Sequence, residues 1–187
     1  IMIETESLAS NGSTHVFSQV QPSRGEKSMS KPGQTETDTK LLRILLPINA
    51  KEDSRWGIQY ALRRHREGRN VEVILLNIGE PVTQWQVLRF RTQQEVAQFQ
   101  VARAEAFIEE ATQPLDAAGI QCRGFFRQGK LVFSILDAAE ELECDEIVMP
   151  DQKRCLSSVF GHSIVSSVRQ HRRGIPVVVV NSGGDSV

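Results

Sequence analysis

The chain has 187 residues, 40% hydrophobic and 24% charged, and a formal net charge of −1. That length suffices for one domain with a buried core plus an appendage. The near-neutral charge argues against a broad nucleic-acid footprint, and no apolar run approaches the roughly 20 residues that span a bilayer, so neither nucleic acid nor membrane is expected as a partner. The first residues lack the apolar core of a signal peptide. Cys122, Cys144 and Cys155 are odd in number and lack metal-ligand spacing, so no metal site is expected and a reducing cytoplasm is the simplest setting.

Residues 1–40 are rich in Ser, Gly, Thr, Gln, Glu and Lys, with almost no apolar periodicity. Such a segment buries too little surface to offset the entropy of ordering it, and it is predicted to be disordered. A regulated interaction tail is the functional alternative. Met29 offers an alternative translation start, which an intact mass including Ile1 or Met2 would exclude.

Residues 41–48 (LLRILLPI) form an apolar run of strand length, covered on both faces. Asn49 follows at its carboxyl end, and Asp53 or Ser54 then offers a helix N-cap. Ile58, Ala61, Leu62 and His65 recur at helical spacing as one buried stripe, on which His65 reads as a packed, hydrogen-bonded histidine. Gly68 stops the helix.

The second strand is 71–78 (VEVILLNI), followed by Gly79, Glu80 and Pro81. After a loop with Trp85, a long helix begins near Gln93, its apolar face supplied by Val96, Phe99, Phe107, Ala111, Leu115 and Ala118. Arg103 interrupts that stripe and must snorkel or pair. Pro114 predicts a kink or break, and Gly119 ends the element.

The third strand is 120–128 (IQCRGFFRQ), less continuously apolar and so nearer a sheet edge. Gly129 turns into a helix carrying Leu131, Ile135, Ala138, Ala139 and Leu142. Asp145 leads into the fourth strand, 146–149. A polar loop, a helix from Ser163 to about Arg172, a fifth strand over 176–180 and a tail over 182–187 complete the chain.

The alternation β-α-β-α-β-α-β-α-β predicts an α/β fold, a doubly wound five-stranded parallel sheet with helices on both faces. Strand order 3-2-1-4-5 puts the switch point between the first and fourth strands. The loops after Ile48 and Met149 then face each other across one crevice, the expected place for a ligand.

Several chemistries fail on residues. A receiver domain needs an acceptor Asp after the third strand and a Lys after the fifth, where Gln128 and Asn181 stand. A flavodoxin needs a Ser/Thr/Gly-rich loop after the first strand, which residues 49–54 (NAKEDS) do not supply. Neither G-x-G-x-x-G nor G-x-x-x-x-G-K-[ST] occurs. Ser163 beside His162 reads as an N-cap rather than a nucleophile, because no orienting acid is identifiable. Cys155 lies beside Lys153 and Arg154, whose charge would lower a thiol pKa, yet it reads as a loop cysteine without a role. No catalytic residue is assigned. Lys153 and Arg154 could attract a phosphate.

RILLPI opening the domain, VEVILLNIGEP, QGKLVFSILDAAEELECDEIVM and the closing GIPVVVV together resemble the universal stress protein family over residues 41–181. The resemblance implies an adenine nucleotide alpha hydrolase-like sheet of order 3-2-1-4-5. It also implies a homodimer in which the final strands, Val177, Val178, Val179 and Val180, pair antiparallel. Many members bind ATP through an Asp after the first strand and a G-x-x-G-(nine residues)-G-[ST] loop after the fourth. Asn49 stands at the Asp position, Pro150 and Lys153 at the first two glycines, and Ser163 at the third, with Gly161 two residues early. Pro47 and Met149, with Gly161 and Ser163, are what the resemblance retains of that site. It therefore implies a non-enzymatic stress-response protein, dimeric, acting through partners and needing no cofactor. An ATP-binding sensor or weak ATPase, in which Lys153 and Arg154 replace the glycine loop, is the alternative.

Overall fold

The computed structural model describes residues 3–4, 14–17, 40–80, 92–151, 164–171 and 173–187. Among these, seven strands form one sheet: β1 (Ile3–Glu4), β2 (Thr14–Phe17), β3 (Leu42–Ile48), β4 (Val71–Gly79), β5 (Gln121–Gln128), β6 (Glu146–Pro150) and β7 (Val177–Val180). Helices α1 (Trp56–Arg66), α2 (Gln93–Ala117), α3 (Leu131–Glu141) and α4 (Ile164–His171) connect β3 through β7, and a turn of 3-10 helix (Glu52–Arg55) leads into α1. The spatial order is β1-β2-β5-β4-β3-β6-β7. All neighbours from β5 to β7 are parallel, which is the expected 3-2-1-4-5 arrangement.

The strand sequences are almost continuously apolar because both sheet faces are covered, and their side chains divide by parity. Ile44, Leu46, Ile48, Val71, Val73, Leu75, Val148 and Val180 face one way and pack with Ile58, Ala61, Ala104, Ile108 and Leu115 of α1 and α2. Leu45, Ile74, Leu76, Ile147, Met149, Val177 and Val179 face the other way, against α3 and α4. At the crossing of α2 over β5, a Cβ on Gly124 would lie 2.3 Å from Ile108 Cγ2, so only glycine admits the helix this close.

A charged cluster lies at the amino ends of the strands. Glu72 on β4 is buried and accepts hydrogen bonds from Arg43 Nε at 2.6 Å and Arg123 Nε at 2.8 Å. Arg43 also donates to Leu142 O at 2.8 Å, tying β3 to the end of α3. That hydrogen bond to Glu72 holds the Arg43 guanidinium above its ordinary pKa. Burial pushes the thiols of Cys122 and Cys144 up to about 12, so both are protonated and unreactive at neutral pH.

The structure departs from the sequence-based expectations at several points. Within 1–40, Thr14–Phe17 pairs antiparallel with β5, and Ile3–Glu4 pairs with Thr14–Phe17. Thr, Val and Phe in that stretch have strand character, and β5 offers an unpaired edge to satisfy it. Ser54 does not cap α1. It is buried, and its hydroxyl donates within the preceding loop. His65 is partly buried, but its Nδ1 has no hydrogen-bond partner among the described residues. α2 runs through Pro114 to Ala117 without a break, forgoing the one hydrogen bond that an N–H at 114 would make. Phe99, expected on its buried face, is 66% exposed. A 25-residue helix is about 37 Å long and outruns the roughly 27 Å of β5, so its first turns overhang the carboxyl end of the sheet. The last helix spans Ile164–His171, and Ser163 and Arg172 lie outside the described residues.

Candidate functional site

β3 passes its chain to α1 on one face and β6 leads toward α4 on the other, so the sheet splits between these two strands. A cleft of about 620 Å³ opens beside this switch point, over the carboxyl ends of β3 and β4. Pro47, Leu76, Ile78 and Phe126 supply apolar lining, and Asn49, Lys51, Glu80, Gln100 and Arg103 supply polar lining.

The loop after β3 is tightly organised. Asn49 Oδ1 accepts from Lys51 N–H at 2.7 Å, the turn that a short amide side chain makes with the backbone two residues on. Ser54 Oγ donates to Lys51 O at 2.7 Å and accepts from Asn49 N–H at 3.3 Å. Asn77, buried at the end of β4, donates from Nδ2 to Ile48 O at 2.9 Å and joins the ends of the two strands. From the overhang of α2, Gln100 Nε2 donates to Glu80 O at 2.9 Å. Arg103 lies over the Phe107 ring at 5.3 Å, so the cation expected to snorkel or pair stacks on an aromatic at the cleft wall.

Two of the expected site residues, Pro47 and Asn49, line this cleft. Met149 does not. It is 4% exposed and packs in the core against α3 and α4. Lys153, Arg154, Gly161 and Ser163 lie outside the described residues. Pro150 is buried as the last residue of β6, in register with Val180. Asn77 and Gln100 were not singled out from sequence. Asn77 carried a signal, as a lone amide ending an apolar strand, whereas Gln100 reaches the cleft only through the length of α2.

The described lining of the cleft holds two cations and one carboxylate, Glu80, and no histidine, cysteine or serine that could form a nucleophile and base. Among the described residues no three His, Cys, Asp or Glu side chains are grouped to hold a metal, and no helix is long and apolar enough to cross a membrane.

The second candidate is the valine edge. The side chains of Val177, Val179 and Val180 are buried and that of Val178 is partly buried, all within the chain's own two cores. Strand side chains point to the sheet faces, not along its edge, so the apolar sequence of β7 is satisfied without a partner.

The family model for the universal stress protein family matches residues 41–181, the span that carries the five parallel strands and the crevice. The chain belongs to the universal stress protein family. Among solved structures, universal stress protein UspA from Lactobacillus plantarum superposes with a TM-score of 0.61 at 18% identity, covering 74% of this chain and 96% of that one. A family member from Burkholderia pseudomallei gives 0.58 at 12%, covering 78% and 98%. The Archaeoglobus fulgidus universal stress protein in complex with dAMP gives 0.52 at 17%, covering 75% and 98%. At these identities the likeness establishes the fold. No curated protein matches the chain by sequence.

Proposed function

We propose that this universal stress protein is a non-catalytic, cytoplasmic stress-response protein that needs no bound nucleotide and acts as a homodimer through protein partners. The observation that carries this is the pair of positions on either side of the switch point. Asn49 is neutral and its side-chain oxygen is already engaged by Lys51 N–H. Pro150 is buried in β6 and has no N–H to offer a phosphate. The acid and the first glycine that the family loop uses are thus both replaced by groups that cannot do the same work.

The cleft favours a second reading. A volume of about 620 Å³ at the carboxyl ends of the strands, with Lys51 and Arg103 in its lining, suits an anionic nucleotide, and the Archaeoglobus fulgidus relative was solved with dAMP. In that reading Lys153 and Arg154 supply the phosphate contacts and the protein is an ATP-binding sensor or weak ATPase.

Thermal unfolding with ATP, AMP and cAMP, with and without Mg²⁺, separates the two. A ligand that binds only the folded state adds about 2.7 kcal/mol at one hundred times its dissociation constant. The expected result is no shift with any of the three. A saturable, concentration-dependent rise in Tm would establish the sensor reading instead.

A further inference from the structure

β7 ends the sheet, and its backbone groups alternate between neighbour and open edge. Pro176 O accepts from Ile147 N–H at 2.9 Å and Val180 O from Asp151 N–H at 2.8 Å, so residues of that parity face β6. Val177 and Val179 therefore present their N–H and C=O groups to the outer edge.

That edge is not bare. Beyond Val180 the chain turns back, and Ser186 forms an antiparallel bridge with Val180. Val187 N–H donates to Val179 O at 2.9 Å, and Asn181 N–H donates to Asp185 O at 3.0 Å. Three further features hold the hairpin in this position. Asn181 Oδ1 accepts from the N–H groups of Gly183 at 2.9 Å and Asp185 at 3.0 Å. Gly184, at φ +76°, is pressed against α1 so closely that a Cβ would lie 2.6 Å from Tyr60 N and 2.7 Å from Gln59 C. Arg63 of α1 pairs with the Asp185 carboxylate and donates to Gly183 O at 3.1 Å. A Gly-Ser-Asp tail has little apolar surface with which to offset the entropy of ordering it, so these contacts keep it on the edge.

We propose that residues 181–187 are an autoinhibitory cap on the β7 edge, which must release before a second copy of this chain can pair there. The inference rests on reading that edge as the homodimer surface, with the capped chain as the resting monomer and the released chain as the acting homodimer. β7 has four residues, and an antiparallel pair of such strands draws on the outward groups of Val177 and Val179 in both copies. With Val179 O already taken by Val187, the remaining edge is too short for a stable ladder, and the returning backbone occupies the partner's path.

Gly184→Val tests this, because it places a branched side chain where backbone already lies and demands a φ that valine resists. Circular dichroism checks folding, hydrogen exchange at the Val187 amide reports release, and sedimentation equilibrium gives the mass. The expected result is a monomeric wild type and a Gly184→Val protein of twice that mass. Adding Val177→Pro, which removes an outward N–H, should return the monomer. If Gly184→Val fails to fold, Asp185→Lys, which opposes Arg63 with a second cation, is expected to have the same effect. A wild type that is already dimeric and that Val177→Pro dissociates would overturn the cap and keep the edge as the dimer surface. A released tail with no change in mass would overturn the dimer reading itself, and the proposal with it.

Discussion

The two outer strands of the five-stranded parallel sheet, β5 and β7, are each covered by a segment from outside it, by different means. At β5, Thr14–Phe17 adds a four-residue antiparallel ladder, Thr14 opposite Arg127 through Phe17 opposite Gly124, recruited from more than one hundred residues away in sequence. At β7 the cover is a single bridge formed within six residues by a chain that has just left the strand. Loop-closure entropy grows with the logarithm of loop length, so the distant ladder carries the larger closure cost and needs more backbone pairs to offset it. The near hairpin costs little to close but gains little from pairing, and it depends on Asn181, Gly184 and the Arg63–Asp185 pair for its position. A local cap of this kind is the easier one to release.

The largest expected perturbation touches both sides at once. Cys122 lies on β5 and Cys144 just before β6, and burial raises both thiols from 9.0 to about 12. Between these values the unfolded chain gives up protons that the folded chain keeps. The stability they contribute is therefore complete below pH 9 and declines as pH rises through about 12. Urea unfolding across this range should show a falling midpoint, which Cys122→Ala and Cys144→Ala would each flatten. An unchanged midpoint would remove the thiols from the account.

Next in size, Gly124→Val should cost about 3 kcal/mol, the upper part of the range for overpacking, since Ile108 stands 2.3 Å from the new Cβ. A loss of less than about 1 kcal/mol would mean that α2 shifts easily over the β5 side. Deleting residues 1–17 should accelerate hydrogen exchange along β5, because β2 supplies the ladder on its outer side. Equal protection in both proteins would contradict the β2–β5 pairing. The smallest effect is expected for Asp185→Ala. A solvent-exposed ion pair contributes little, so Tm should barely move while exchange at Val187 increases. A large fall in Tm would show that the tail supports the whole fold.

Apolar patterning carried most of the fold into view. The five parallel strands follow from runs such as LLRILLPI and VEVILLNI, because burial on both faces demands continuous apolar sequence, and the order 3-2-1-4-5 was expected from the doubly wound alternation and the family resemblance. The candidate site was only half legible. Pro47 and Asn49 could be placed at the crevice from their position after the first strand, but Gln100 and Arg103 reach it because α2 overhangs the sheet. Phe99 failed for the same reason, since helical spacing says which residues share a face but not whether anything lies opposite it.

Residue pattern alone thus determined the fold class, the family resemblance and which residues, Asn49 and Pro150, stand where the first and fourth strands end. These depend on which side chains stand at which places, and sequence states that directly. The tertiary structure decided what covers the edges. The side chains of the β7 valines fill the chain's own cores, while a polar tail with no apolar pattern covers the backbone edge beside them. Edge pairing is made by backbone groups common to every residue, and only the path of the folded chain shows which of them meet.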